Sequence, residues 1–423
     1  MAKSFQTLPG FRDFRPEDCA VRNYLFANFR EVAKRYGFVE YETPILEPTE
    51  LYEKKAGGEL NSQLFCFEDK GGRNVTLRPE VTASLGRLVS TVQRDYPKPL
   101  RWFEIGQCFR YEKPQKGRTR EFYQFNVDLI GESCAGADAE LIALSIDLMS
   151  ELGFQKGDYV IRLSDRAYWQ KFGNTKSLSS EQCDSLLQIV DKLEREKPEV
   201  TEEKLNVLGL TTAEVQEAIC NPASLGENLD TILANLKARG MADFIEVDLS
   251  IVRGLAYYTG VVFEVFDAKK SLRAVAGGGR YDSLISALSN GSVDLPAAGF
   301  AIGDVVIRHL IEETPHAAEK MQTTINAASG CDVYLVLADN SKQANALALA
   351  AQLRSAGIAT TFSLTPAKVG KQFKQAEQAG APLALVVGSE FPELSLKILA
   401  TRSEETIPAD QDIVETISNI LNQ

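Results

Sequence analysis

Polar and apolar residues alternate most clearly in the segment REFYQFNVDLI, residues 120–130. In an extended chain, alternate residues point to opposite faces. The two faces here are an apolar set, Tyr123, Phe125, Val127 and Leu129, and a largely polar set, Phe122, Gln124, Asn126 and Asp128. The pattern predicts a strand with one face in a core and amide and carboxylate groups on the other.

The segment LRWFEIGQCFRYE, residues 100–112, alternates in the same way. The polar and basic link KPQKGRTR separates the two segments, so residues 100–130 are predicted to form a long β-hairpin. Its polar face would carry Glu104, Arg110 and Glu112 beside the polar set of the return strand. A half-exposed sheet with solvated polar groups gives the same alternation. An exposed face is, however, more often rich in lysine and threonine than in Gln, Asn, Asp and Phe.

The remaining pattern predicts two domains. A helix begins at Pro16 and ends at Gly37, and a short strand, FVEYETP, follows. Residues 134–245 are predicted to be mainly helical, and strands return from 246. A linker is predicted near 322–330, after which strands and helices alternate as in an α/β domain. The predicted domains are therefore 1–325 and 331–423.

Composition restricts the chemistry. The chain has 423 residues, 44% of them hydrophobic and 25% charged, which is typical of a soluble enzyme. The N-terminus has no signal-like apolar run, and the seven cysteines form no CxxC pair, so we expect a cytoplasmic protein with reduced thiols. Only two histidines are present, which nearly excludes His-based triads and His-rich metal sites. The net charge of −12 argues against nucleic acid bound along the whole surface, but not against a local basic footprint.

Two glycine-containing segments are candidates for ligand binding. AVAGGGRYD, residues 274–282, lacks the phosphate-loop pattern, so close backbone packing is at least as good an interpretation as ligand binding. RGLAYYTG, residues 253–260, places an arginine and two tyrosines between strand-like runs. Adjacent tyrosines on a strand would face opposite ways and could simply bridge the core and an edge.

Taken in order, these segments resemble the histidyl-tRNA synthetase family of class II aminoacyl-tRNA synthetases. The resemblance rests on LPGFRDFRPED with YETPILEPTELY, on TLRPEVTASLGRLV, on CFRYEKPQKGRTREFYQFNVDLIG, on VRGLAYYTGVVFE, and on AGGGRYDSLI with PAAGFAIG. It implies an α+β fold: a class II catalytic domain on an antiparallel sheet, a helical insertion at about 165–240, and a C-terminal α/β anticodon-binding domain. It also implies a homodimer with an interface around Pro44, the substrates ATP (with Mg²⁺), histidine and tRNA(His), and histidine–tRNA ligase activity.

The resemblance also implies roles for individual residues. Arg110 would hold the ATP α-phosphate, and Arg253 would bridge that phosphate and the histidine carboxylate; these two are the catalytic candidates. The nucleotide would also contact Glu112 and Phe122. Histidine would be bound by Glu80, Thr82, Gln124, Asp128, Tyr257 and Tyr258. Arg118 and Arg120, in the loop of the second motif, would lie near phosphates or the tRNA end and are the tRNA-binding candidates of this domain.

Arginine suits such a site because its guanidinium stays charged and can hold two oxyanions in fixed geometry. Lys368, Lys371 and Lys374 recur at a spacing of three and could form a basic helix face for anticodon phosphates. On spacing alone, these lysines fit a solvated helix face better, and Lys371 is the tRNA-binding candidate among them.

The chain departs from the family pattern at two places. The third motif normally ends Gly-x-Glu-Arg, but GFAIGDVVIRHL places Val305 and Val306 at the last two positions. Arg308 lies two residues further on, about 200° around a helix, and is a poor substitute. Ala256 stands where the family has aspartate. An alternative is therefore a non-catalytic paralogue that acts as a regulatory subunit of ATP phosphoribosyltransferase, a family that typically lacks the terminal α/β domain.

Overall fold

A computed structural model describes residues 5–53, 61–115, 117–193, 196–222, 224–253, 257–269, 272–328 and 330–422. The chain divides into two compact units, Met1–Met321 and Gln322–Gln423. Within the described ranges, no helix is long and apolar enough to cross a membrane.

Unit 1 is built on an eight-stranded sheet. Its strands, in chain order, are β1 (Val39–Glu40), β5 (Leu100–Phe109), β6 (Glu121–Ile130), β7 (Tyr159–Asp165), β8 (Ile245–Val247), β9 (Val261–Asp267), β10 (Ala276–Arg280) and β11 (Ala297–Gly303). Their spatial order is β1-β5-β6-β11-β10-β9-β7-β8. The pairs from β5 through to β7 are antiparallel, and only the outer pairs β1–β5 and β7–β8 are parallel. A separate sheet contains β2 (Leu46–Pro48), β3 (Phe65–Glu68) and β4 (Asn74–Leu77).

The predicted hairpin is confirmed, and its register is now defined. Strands β5 and β6 pair antiparallel, with Glu104 opposite Asn126 and Gly106 opposite Gln124. The apolar face is core: Phe125 and Val127 are fully buried, and the Phe125 ring stacks on Phe29 of the N-terminal helix at 4.8 Å. The polar face is also largely buried, so it is not a solvated surface.

The helices described in the first part of unit 1 are α1 (Pro16–Arg35), α2 (Glu50–Glu53), α3 (Thr82–Val92), α4 (Ala135–Glu151), α5 (Arg166–Thr175), α6 (Ser180–Lys192), α7 (Pro198–Val207), α8 (Thr212–Cys220) and α9 (Glu227–Ala238). Helices α10 (Leu284–Leu288), α11 (Asp304–Glu313) and α12 (Pro315–Ala328) follow. Helix α1 begins with proline and two acids, as the sequence predicts, and Gly37 follows it at φ +74°. Ser179 and Thr211 form capping boxes at the starts of α6 and α8.

Of two further sequence predictions, one is confirmed in outline and one is wrong. Residues 134–245 are mainly helical, as predicted, but they also contain strand β7 at residues 159–165, next to the edge strand β8, and its Ile161 and Leu163 are fully buried. The stretch predicted as a linker near 322–330 is largely helical, because α12 continues to Ala328. Its Thr, Asn and Ala residues resemble a linker in composition, yet alanine is also the best helix former.

Unit 2 contains the predicted alternation. It runs β12 (Val333–Leu337), α13 (Gln343–Ser355), β13 (Thr360–Phe362), α14 (Val369–Gln378) and β14 (Leu383–Val387), with β12 parallel to both other strands. Two antiparallel strands, β15 (Glu393–Ile398) and β16 (Ser403–Pro408), and α15 (Ile413–Leu421) complete the unit. The sequence prediction did not include these three elements.

Candidate active site

The centre of the polar face of the large sheet is formed mainly by glycine and alanine, and we call this area the floor. Residues directly opposite one another on paired strands share a face. One row across the sheet therefore reads Glu104, Asn126, Ala301, Gly277 and Glu264, and the next reads Trp102, Asp128, Gly299, Gly279 and Val262. Glycine and alanine fill the centre of both rows, which leaves room above β10 and β11.

The glycines of AVAGGGRYD are strand residues that allow close approach. A Cβ added to Gly277 would lie 1.9 Å from Nη1 of Arg253, and one added to Gly279 would lie 3.0 Å from the Tyr258 ring. A Cβ added to Gly299 would lie 2.1 Å from an Asp128 carboxylate oxygen. Close packing, one of the two sequence interpretations, is therefore what these glycines provide.

Arg253 lies over this floor. Its backbone is left-handed, at φ +53°, which is uncommon for a residue other than glycine. Its guanidinium lies 5.4 Å from the centre of the Tyr258 ring, and its Nε is 3.4 Å from Oε1 of Glu264. Nη1 is buried and has no hydrogen-bond partner among the described residues. Burial works against the charge, but Tyr258 and Glu264 raise the pKa of Arg253 overall, so the side chain stays cationic.

Arg110 covers the other end of the same face. Phe122 shares the polar face with Gln124, and the Arg110 guanidinium lies 5.2 Å from the Phe122 ring centre. Arg110 Nε donates to the Pro79 carbonyl at 3.0 Å, which brings it beside the segment that carries Glu80. The structure therefore places both predicted catalytic arginines on one face of one sheet.

The predicted histidine receptors lie between the two arginines. Tyr257 donates from its hydroxyl to Oε2 of the buried Glu80 at 3.3 Å. Asp128 is buried and accepts a very short hydrogen bond from the Tyr281 hydroxyl. Thr82 is buried at the start of α3, and Gln124 lies on the floor opposite Gly106. Burial, followed by the nearby carboxylates, holds the pKa of both Tyr257 and Tyr281 well above the usual value, so both phenols are protonated donors.

The tyrosine pair differs from the sequence prediction. Tyr257 and Tyr258 precede β9 rather than lying on a strand, and their ring centres are only 4.8 Å apart. They therefore pack against each other instead of pointing to opposite faces. The neighbouring Ala256, which departs from the family pattern, lies outside the described residues.

Sequence reasoning missed the residues that hold this site together. Arg78 is 2% exposed and donates to Glu104, to the Thr43 hydroxyl and to the Gln107 carbonyl. The Arg78–Glu104 ion pair measures 2.5 Å, so Glu104 is already occupied and is not a substrate acceptor. Breaking a buried pair of this kind typically costs about 3–5 kcal/mol. A pairing across 26 residues cannot be read from local alternation.

Two of the predicted tRNA contacts, Arg118 and Arg120, lie in the link between β5 and β6. Arg118 pairs with Glu112 at 2.8 Å, and the Arg120 guanidinium lies 4.2 Å from the Tyr111 ring centre. In unit 2, Lys368, Lys371 and Lys374 are all exposed along α14 and just before it. Arg308 is directed away from the floor, as predicted, since it pairs with Asp18 and Glu312.

Comparison with known proteins identifies the family. Residues 10–304 match the family model for histidyl-tRNA synthetase, and residues 332–420 match that for an anticodon binding domain. The chain belongs to the histidyl-tRNA synthetase family. It is 41% identical over 435 residues to a histidine–tRNA ligase of Opitutus terrae, covering 96% of this chain and 97% of that protein.

Other members of the histidyl-tRNA synthetase family support the same assignment. The chloroplastic/mitochondrial histidine–tRNA ligase of Arabidopsis thaliana is 38% identical to this chain, and the alignment covers 93% of this chain and 82% of the Arabidopsis protein. The crystal structure of histidyl-tRNA synthetase from Nostoc sp. PCC 7120 aligns over 99% of both chains with a TM-score of 0.78 at 23% identity, which shows the shared fold. The predicted α+β class II architecture is confirmed.

Proposed function

We propose that this chain activates histidine with ATP and transfers it to the 3′ end of tRNA(His). Membership of the histidyl-tRNA synthetase family makes it an ATP-dependent aminoacyl-tRNA ligase. The observation that carries the proposal for this site is the placement of Arg110 and Arg253 on one buried polar face, with Glu80, Asp128 and two tyrosines between them.

The geometry supports an in-line displacement. The histidine carboxylate would attack the ATP α-phosphorus, forming one O–P bond while the bond to pyrophosphate breaks. Arg253 would hold the attacking carboxylate and the α-phosphate together. Its buried Nη1 donates no hydrogen bond to the described residues, so its N–H groups can donate to the substrates. Arg110 would stabilise the charge that develops on the phosphate, and Phe122 would stack on adenine. The tRNA 3′ hydroxyl would then displace AMP from histidyl-adenylate.

Histidine specificity would come from hydrogen bonds on the floor. Glu80 would accept from the ammonium group, with Gln124 and Thr82 beside it. Asp128 and the protonated tyrosines would offer an acceptor and donors to the imidazole, whose two nitrogens need both.

The metal and the second subunit are also proposals. The described residues contain no group of three His, Cys, Asp or Glu side chains placed to hold a metal ion. Mg²⁺ would therefore enter with ATP as part of the substrate. A homodimer around Pro44 is supported by exposed apolar side chains near that residue, Val39, Ile45 and Leu46. A cytoplasmic location stays a prediction.

Pyrophosphate exchange tests the proposed activity. Purified protein should incorporate labelled pyrophosphate into ATP only when histidine is present, and should charge tRNA(His) with labelled histidine. Absence of both activities would contradict the proposal and would favour the regulatory-subunit alternative, which the curated relatives do not support.

Replacing Gln124 with alanine is expected to raise the KM for histidine by about tenfold and the KM for ATP by less than about twofold. One lost hydrogen bond to a charged group is typically worth this much. Exchange kinetics at varied concentrations of each substrate would measure the two constants separately. An equal rise in both constants would count against a receptor role for Gln124.

Replacing Val306 with arginine is expected to lower the KM for ATP by about threefold, the size of one partly exposed charge contact. The Val306 side chain, in the first turn of α11, faces the loop after β5. A Cβ added to Gly117 in that loop would lie 3.8 Å from Val306 Cγ2. The matched control is Val305→Arg, about 100° around the helix. An unchanged KM in Val306→Arg would mean that another group already supplies this contact.

A further inference from the structure

One guanidinium joins three segments of unit 1 behind the active-site floor. Arg12 Nε lies 2.6 Å from Oε1 of Glu121, and Arg12 Nη2 lies 3.0 Å from Oδ2 of Asp304. Glu121 is 3% exposed and Asp304 is 5% exposed, whereas the Arg12 side chain is 24% exposed. Among the described residues, Arg12 is the cation that balances both buried carboxylates.

Each partner begins an element of the candidate site. Glu121 is the first residue of β6, and Asp304 is the first residue of α11, the helix that carries Val305 and Val306. Arg12 precedes α1. The three residues therefore connect the N-terminal segment, the strand that carries Phe122, and the helix in which the arginine of the family motif is absent.

Arg12, Glu121 and Asp304 support Phe122 through the two residues next to it in the chain. On one side, Arg12 binds the Glu121 carboxylate and also donates from Nη2 to the Glu121 carbonyl at 3.4 Å. On the other side, the Tyr123 backbone N–H donates to Oδ1 of Asp304 at 2.8 Å. Because neighbours on a strand face opposite ways, Glu121 and Tyr123 lie behind the sheet while Phe122 faces the floor.

The same N-terminal segment also braces the loop that carries Arg110. The Gly10 carbonyl accepts from the Arg120 N–H at 2.8 Å, and the Arg120 carbonyl accepts from the Arg110 N–H at 2.9 Å. Gly10 has a φ of +85°, and a Cβ there would lie 2.8 Å from the Arg120 side chain, so the approach requires glycine. Arg110 and Phe122, the two groups in contact at 5.2 Å, are thus both supported from residues 10–12.

We propose that Arg12 is a positioning residue for the nucleotide half of the site, through its bridge between Glu121 and Asp304. The inference rests on the proposed function. Arg12 lies behind the floor and does not touch substrate; it fixes the adenine-stacking ring against the motif helix. A ligand group held within a fraction of an ångström needs such support from the residues behind it.

Binding measurements separate this role from a merely structural one. Calorimetric titration of the full-length chain with MgATP should show that Arg12→Gln weakens ATP affinity about tenfold. Histidine affinity should change less than about twofold, because Glu80, Asp128 and Tyr281 are held by other contacts. Equal loss of both affinities, or loss of the folded fraction with unchanged affinities, would overturn the proposal.

The chain offers a matched control in Arg308→Gln. Arg308 also bridges two carboxylates, one from α1 and one from α11, but Asp18 and Glu312 are 30% and 44% exposed. The Arg308→Gln variant should keep its affinities for ATP and for histidine within about twofold of the original values. A tenfold loss of ATP affinity in this control would show that any surface bridge to α11 has the same effect, and would contradict the special role of Arg12.

Two further variants keep the test decisive if Arg12→Gln does not fold. Arg12→Lys keeps the charge but not the fork that reaches two carboxylates, and should give an intermediate ATP affinity. The triple variant Arg12→Met, Glu121→Gln, Asp304→Asn removes the buried charges together and should fold, yet should still bind ATP about tenfold more weakly. Normal ATP affinity in the triple variant would refute positioning by Arg12. A lack of pyrophosphate exchange by the unaltered chain would instead refute the proposed function, without bearing on these affinities.

Discussion

Replacing Arg253 with alanine is expected to reduce histidine-dependent pyrophosphate exchange by about 10²- to 10³-fold. Removing one preorganised donor to a developing anion typically has an effect of this size. Arg253 is suited to that task because its guanidinium is buried over a glycine floor, stays cationic, and has an Nη1 without a hydrogen-bond partner in the described part of the chain. Exchange rates at saturating histidine and ATP would measure the loss.

Two controls separate lost chemistry from lost folding. Arg253 has a positive φ, and asparagine tolerates that conformation better than alanine does, so Arg253→Asn should lose as much activity with less backbone strain. Both variants should keep the thermal unfolding profile of the original chain. Exchange within a few-fold of the original rate in either variant would refute the assigned role.

Replacing Gly277 with alanine is expected to reduce the exchange rate by about 10²-fold, although alanine adds a single methyl group. That methyl would lie 1.9 Å from Nη1 and 2.6 Å from Cζ of Arg253, so the guanidinium must move by an ångström or more. A displacement of this size in a positioning group can reduce a rate about a hundredfold. Steady-state exchange kinetics would show the effect chiefly in kcat.

The matched control for this variant is Gly136→Ala. A Cβ at Gly136 meets only the Cys134 sulfur, at an ordinary 3.5 Å, in the first turn of α4. It should leave exchange within about twofold of the original rate. A Gly277→Ala variant with normal kcat would show that the position of Arg253 over β10 is not important for the reaction.

Local patterns in the sequence predicted the elements that depend on local physics. Alternation over residues 120–129 predicted both the strand and its apolar face, because burial of Phe125 and Val127 on one side is what produces the period of two. Strand β7 was missed because it is short, lies between helices, and carries the buried polar residues Arg162, Ser164 and Asp165 instead of a continuous apolar run. The Thr, Asn and Ala residues near 322–330 suggested a linker, but this composition is also compatible with the helix α12 that is found there.

The candidate site was predicted in part. The motif resemblance named Arg110, Arg253, Glu80 and Asp128, and the structure brings them to one face. The supporting residues could not be predicted, because their partners lie far along the chain: Arg12 pairs with residues 109 and 292 positions away. Adjacent tyrosines were predicted to face opposite ways on a strand, but Tyr257 and Tyr258 precede the strand and pack together.

The central claim is that Arg110 and Arg253 act together on one phosphate over one antiparallel floor. A crystal structure of the full-length chain with a non-hydrolysable histidyl-adenylate analogue tests it most directly. We expect both guanidinium groups within hydrogen-bond distance of the group that replaces the phosphate, with adenine stacked on Phe122 and the imidazole beside Asp128. An analogue bound with either guanidinium out of contact with that group, or bound away from the β10–β11 floor, would contradict the account.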